Sequence, residues 1–142
     1  MTVIVVQSPQ DLAACLAVRE RVFVREQGVP PALEMDALDA AAVHFLLRDD
    51  ATGEALATAR LFDKAGRAKI GRVAVLAEAR GRGLGRQVME AALAEARRRE
   101  FPEAVLDAQT YAVPFYAGLG FIAEGDEFDD AGIPHFRMRL TL

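Results

Sequence analysis

Tryptophan is absent from this chain of 142 residues, and cysteine occurs once. A lone Cys15 cannot close an internal disulfide, so a reducing cytoplasm is the simplest compartment to expect. Its place on the apolar stripe of a helix marks it as a buried structural thiol rather than a nucleophile. No apolar run approaches the roughly 20 residues that cross a bilayer, and no basic, apolar, cleavable leader is visible, so no membrane partner is expected. Excess positive charge is missing too. The formal net charge is −4, which argues against nucleic acid as a partner and is compatible with a cationic amine. Two phosphate-binding signatures also fail. There is no Gly-Lys-Ser/Thr for a P-loop, and Arg86 stands where a dinucleotide fingerprint needs its third glycine.

What is present suits one globular domain over residues 1–142, given a 52% apolar composition and the usual domain size of about 100–200 residues. Near its middle, the strand-like run Ile70-Gly71-Arg72-Val73-Ala74-Val75 is followed by Arg80-Gly81-Arg82-Gly83-Leu84-Gly85-Arg86 and a strongly periodic helix. A glycine-rich turn at a helix N-terminus is suited to phosphate. Unpaired backbone N–H groups converge there, the helix dipole adds partial positive charge, and missing Cβ atoms admit an anion. Arg80, Arg82 and Arg86 add formal charge.

Around this turn the hydrophobic pattern gives a consistent element order. Thr2 to Val6 reads as a strand. Ser8-Pro9-Gln10-Asp11 reads as an N-cap, a first-turn proline and an N3 carboxylate. The helix it opens carries Leu12, Cys15, Leu16, Arg19, Val22, Phe23 and Glu26 on one stripe, which puts two charged residues on the interior side. Gln27 to Pro31 stops it. A loop or short helix then carries Glu34, Asp36 and Asp39, and a loop-ordering ion pair with Arg19 explains these acids better than a metal, for which no further ligand set accompanies them. His44–Arg48, Ala55–Phe62 and Ala68–Val75 follow as antiparallel strands. His44 reads as a satisfied, partly buried imidazole. A helix from Leu84 to about Arg99, a buried strand at Ala104–Ala108, a short helix from Ala112 to Leu119, and strands at Phe121–Ala123 and Phe136–Leu140 complete the chain. The fold class is α/β, a mixed, mostly antiparallel sheet with helices on both faces, and pairing of the last strands offers a route to a homodimer.

The segment Phe115-Tyr116-Ala117-Gly118-Leu119-Gly120-Phe121, one helix and one strand after the glycine turn, completes a pattern that resembles the GNAT N-acetyltransferase family. In that resemblance Arg80, Gly83 and Gly85 match the Arg-x-x-Gly-x-Gly loop that grips the diphosphate of coenzyme A, with Gly81, Arg82, Leu84 and Arg86 around it. The N-terminal run Arg19 to Pro30, with Glu34-x-Asp36-x-x-Asp39, is similar to the YjcF/ElaA-like branch. The resemblance implies a sheet splayed between the strands ending at Val75 and Ala108, with the pantetheine arm in the gap against the backbone of Val73, Ala74 and Val75. It implies acetyl-coenzyme A as donor, a small-molecule amine as acceptor and no metal. A backbone N–H near Val75 would polarise the thioester, and Tyr116 would protonate the leaving thiolate. Gln109 stands where the family often has Asn, seven residues before the tyrosine.

For the base, Asp107, His135 and Glu26 are the candidates, since a carboxylate or imidazole must reach the amine directly or through water. A similar Leu-Asp occurs in glucosamine-phosphate acetyltransferases, which places an amino sugar phosphate among the acceptors. Two other readings stay open: an acyl-coenzyme A sensor without turnover, and an acyltransferase like the acyl-homoserine-lactone synthases, whose Arg…Val-Phe and Glu-x-Asp-x-x-Asp pattern is similar.

Overall fold

The computed structural model describes residues 1–142 as one seven-stranded sheet in the order β1-β2-β3-β4-β5-β7-β6. The strands are β1 (Thr2–Val5), β2 (Val43–Arg48), β3 (Ala55–Lys64), β4 (Arg67–Val75), β5 (Glu103–Gln109), β6 (Ile122–Asp130) and β7 (Ile133–Thr141). The α-helices are α1 (Pro9–Arg19), α2 (Pro31–Glu34), α3 (Leu84–Arg98) and α4 (Val113–Ala117). Every strand pair is antiparallel except β4 with β5, the pair joined through α3, whose helix supplies the crossover that parallel neighbours require.

Alternation along β3 sets the two faces. Ala59 and Leu61 join Val88, Met89, Ala92 and Leu93 of α3 in the main core. Thr58 and Arg60 point the other way, toward α1, where Arg60 shares Asp39 with Arg19. Cys15 is buried, its thiol directed at the Phe45 carbonyl. No helix is long and apolar enough to cross a membrane.

Two irregularities shape the site. Parallel pairing of β4 with β5 covers only Ala68↔Ala104 and Lys69↔Val105, although β4 runs on to Val75 and β5 to Gln109. The strands therefore part company beyond Lys69. In addition, Thr58 pairs with Ala74 but Arg60 with Gly71, so β4 carries one extra residue there, a bulge with Arg72 at φ 51°. A bulge bends its strand and raises its twist, and here it lies in the strand that turns away from β5.

Elsewhere the structure departs from the periodicity reading. The first helix does not continue as an α-helix to Glu26. After Arg19 it widens into a π-helix over Glu20–Glu26, with Gln27 N–H bonding the Val22 carbonyl at 3.1 Å. A wider turn changes which residues share a face. Arg19 and Val22 remain buried, but Glu26, placed on the interior stripe by a 3.6-residue period, is exposed. The strand expected at Phe121–Ala123 runs instead from Ile122 to Asp130, as one arm of a long β6-β7 hairpin. Its polar, exposed sequence carries no alternation from which a strand could be read.

Candidate active site

The glycine turn forms the N-terminus of α3. Gly81 and Gly83 adopt φ of 78° and 75°, conformations that cost other residues strain. Gly83 is the N-cap, and no side chain caps the helix. The first α-helical bond runs from Gln87 N–H to the Gly83 carbonyl at 3.1 Å, which leaves the N–H groups of Leu84, Gly85 and Arg86 outside the helical ladder. Gly85 lies where α3 meets β4 and α4. A Cβ there would be 3.4 Å from Phe115 Cζ and 3.6 Å from Val75 Cγ2, ordinary contact distances. Arg82 is exposed, and Arg86 donates from Nε to Glu90 Oε1 at 2.9 Å. Arg80 is held differently from the simple expectation. Its Nη1 and Nη2 donate to Glu26 Oε2 and Oε1 at 2.5 and 2.7 Å, and its Nε to the Val75 carbonyl at 3.1 Å.

Where β4 leaves β5 there is a cleft of about 800 Å³. Val73, Ala74 and Val75 line one wall and Leu106, Asp107 and Gln109 the other, with Gly85 and Arg80 at the helix end. Gln109 Nε2 donates to Gln27 Oε1 at 2.7 Å, tying the end of β5 to the segment after the π-helix. Tyr116 also lines the cleft. Its ring packs edge-on against Phe115 and Phe121, at 5.0 and 6.1 Å between centroids, so those contacts hold it in place. Burial, with a smaller contribution from Tyr111, pushes its phenol well above the usual tyrosine range. The phenol therefore keeps its proton at neutral pH.

The three candidate bases differ sharply. Asp107 accepts from Lys69 Nζ at 2.6 Å and Arg137 Nε at 3.0 Å. Burial raises its pKa, but those two cations together outweigh it and hold the carboxyl below its ordinary range. Glu26 fills the fork of Arg80, whose hydrogen bonds likewise keep it ionised at lower pH than usual. Both carboxylates are thereby weakened as proton acceptors. His135 sits on β7 opposite Gln109, stacked on Phe128 at 5.8 Å, and lines the cleft. Its Nδ1 is 2.7 Å from the Ile133 carbonyl. A carbonyl can only accept, so Nδ1 carries a proton, and in the neutral imidazole the lone pair is then on Nε2.

At the other end of the cleft the segment 30–40 is fastened by three arginines. Arg19, 1% exposed, donates to Glu34 Oε1 at 2.6 Å, to Asp39 at 2.7 and 3.1 Å, and to the Glu34 carbonyl. The side chain is buried in an ion pair rather than reaching to the rim. Arg60 bonds both Asp36 oxygens and Asp39, at 2.7 to 2.9 Å. Arg72, from the bulge, donates to the carbonyls of Glu34 and Leu33. The three acids are thus enclosed by arginines. His44 Nε2 closes the far side on the Asp39 carbonyl at 2.9 Å.

Arg60, Arg72, Lys69, Gln27 and Arg137 belong to this site and did not stand out in the sequence. A usable signal existed for Arg60 and Lys69. Each is a single charge inside an apolar strand run, Ala59-Arg60-Leu61 and Ala68-Lys69-Ile70, and a charge so placed needs a partner. Arg72, inside Gly71-Arg72-Val73, carries the same signal, but the direction in which it reaches depends on the bulge.

The family described as Acetyltransferase (GNAT) domain matches residues 8–142. The chain belongs to the GNAT acetyltransferase family. An uncharacterized N-acetyltransferase of Bacillus subtilis (strain 168), YjcF, is 35% identical over 139 residues, covering 97% of this chain and 98% of that protein. Among solved structures, an acyl-CoA N-acyltransferase from Pseudomonas aeruginosa is similar at 34% identity and a TM-score of 0.86, over 98% of this chain and 99% of the other. Escherichia coli ElaA is similar at 29% identity and a TM-score of 0.87, over the same shares. This GNAT domain is accordingly an acyltransferase, and the splayed, mostly antiparallel sheet is the family's fold.

Proposed function

We propose that this chain transfers an acetyl group from acetyl-coenzyme A to a primary amine of a small molecule, by direct attack of the amine on the thioester. The observation that carries the reading is the parting of β4 from β5 beside the uncapped N-terminus of α3. That juxtaposition supports a diphosphate at residues 81–86, charge-assisted by Arg80, Arg82 and Arg86, with the pantetheine arm along Val73 to Val75. The thioester then lies near Tyr116. His135 Nε2 takes a proton from the amine, whose nitrogen attacks the carbonyl carbon. A backbone N–H near Val75 stabilises the oxyanion. As the carbon–sulfur bond breaks, the Tyr116 hydroxyl gives its proton to the sulfur and is reprotonated from solvent. His135 replaces Asp107 and Glu26 as the preferred base, since both carboxylates are engaged by cations.

The test is release of free thiol from acetyl-coenzyme A in the presence of a panel of primary amines, an amino sugar phosphate among them. Amine-dependent release is expected. Saturable binding of acetyl-coenzyme A with no release for any amine would make the protein a sensor. Turnover of an acyl donor only with S-adenosylmethionine would favour the lactone-synthase-like reading.

A further inference from the structure

Arg80 has both edges of its guanidinium occupied. The Nη1/Nη2 fork holds the Glu26 carboxylate at 2.5 and 2.7 Å, and the Nε edge holds the Val75 carbonyl at 3.1 Å. The cofactor reading given above, on which this inference rests, assigns the same guanidinium to a diphosphate. A planar fork makes one bidentate contact along an edge, and a carboxylate left beside a diphosphate would set like charges together. We propose that Glu26 is a competing anion for Arg80, a latch that the coenzyme diphosphate displaces and whose release loosens the segment leading to α2 and residues 30–40.

The latch is placed to couple the two ends of the cleft. Glu26 ends the π-helix Glu20–Glu26. The same segment is fastened to the cofactor side by Arg21 to Glu78 at 2.8 Å and by Gln27 to Gln109 at 2.7 Å. It leads directly into α2, where Leu33 and Glu34 line the cleft. Of the three fastenings, only the Glu26 pair falls on a residue assigned to the diphosphate. Displacing it is cheap, because the two side chains are 43% and 41% exposed, and ion pairs that exposed contribute little. The diphosphate offers more negative charge to the same fork.

Calorimetric titration with coenzyme A of the wild type, Glu26→Gln, Arg80→Gln and the double variant tests this. Glu26→Gln is expected to bind about two- to five-fold tighter, the range an exposed pair allows. Arg80→Gln should bind more weakly, and adding Glu26→Gln to it should change nothing further. Hydrogen exchange over residues 20–27 should rise when coenzyme A binds the wild type and should already be raised in Glu26→Gln. Equal or weaker binding by Glu26→Gln would overturn the latch, with Glu26 then orienting Arg80 instead. The same tightening in the Arg80→Gln background would overturn it as well, by showing a general charge effect. A folded wild type that does not bind coenzyme A would overturn the cofactor reading and the latch with it.

Discussion

The two ends of the cleft are built from different materials. At the end proposed for coenzyme A the surface is largely backbone: uncapped N–H groups of α3, two glycines in the left-handed region, and the free inner edge of β4. At the end closed by residues 30–40 it is side chains, with Arg19 of α1, Arg60 of β3 and Arg72 of β4 enclosing Glu34, Asp36 and Asp39. Backbone recognition uses groups every residue has, and a turn that exposes them needs only the right glycines. A buried ionic cluster is the opposite case. Each charge is costly to bury unless all its partners arrive together, so this end depends on the whole fold being in place.

The comparison is broken most severely at Arg19. Removing a partner from a buried ion pair typically costs about 3–5 kcal/mol, and Arg19→Ala takes from Glu34 its nearest cation and from Asp39 one of its two arginines. Denaturant melts should show a loss of that order, with faster hydrogen exchange over residues 27–40. The acid limb sharpens the point. Burial raises the Asp39 pKa, but Arg19 and Arg60 outweigh it and hold the carboxyl far below its ordinary range, as Arg60 does for Asp36. Carboxylates depressed in the folded state stabilise it above their unfolded value of about 3.9, and that stability is lost as pH falls below it toward the folded values. Arg19→Ala should flatten this acid loss, and melts between neutral and acidic pH measure it.

His135→Gln comes next. Loss of a general base should lower turnover by about 10²–10⁴-fold at unchanged coenzyme affinity. Asp107→Asn serves as the contrast, with a smaller loss expected because its carboxylate is already engaged by Lys69 and Arg137. A larger loss for Asp107→Asn than for His135→Gln would return the base role to Asp107.

Gly83→Asp tests the cofactor end. A Cβ at Gly83 meets nothing within 4 Å, so the fold should survive with modest strain from its φ of 75°. The added carboxylate faces the diphosphate, and like-charge juxtaposition costs several kcal/mol. Calorimetry should show acetyl-coenzyme A affinity falling by about 100-fold or more. Undiminished affinity would take the diphosphate away from this turn.

The smallest effect is expected from Tyr116→Phe, which keeps the ring and its contacts with Phe115 and Phe121. Melting should barely change, and kcat should drop by roughly 10-fold at saturating acetyl-coenzyme A. Wild-type kcat in a stable variant would remove the hydroxyl from the mechanism.

The same contrast explains what could be read in advance. Ser8 accepting from Asp11 N–H at 3.1 Å, α3 and the glycines before it, and the antiparallel β2-β3-β4 run all follow from local rules of capping, periodicity and turns. Arg19 pairing with the acidic loop was legible because its charge conflicted with an apolar stripe. The π-helix was not. It sets Glu26 against Arg80 instead of inside the protein, and its hydrogen-bond register leaves no mark in composition. The Arg72 bulge was equally hidden, since it comes from the register between β3 and β4; Lys69 was marked as a charge in an apolar run, but nothing local named its partner Asp107 or Arg137 beyond it, which lie in segments 30 or more residues apart.

Hydrogen exchange of the wild-type protein with and without acetyl-coenzyme A probes the central claim most directly, because that claim assigns the cofactor to named backbone amides. Slower exchange is predicted at residues 81–86 and along 73–75, where the diphosphate and the pantetheine arm would cover the uncapped turn and the free strand edge. Saturating acetyl-coenzyme A that leaves both stretches unprotected would contradict it.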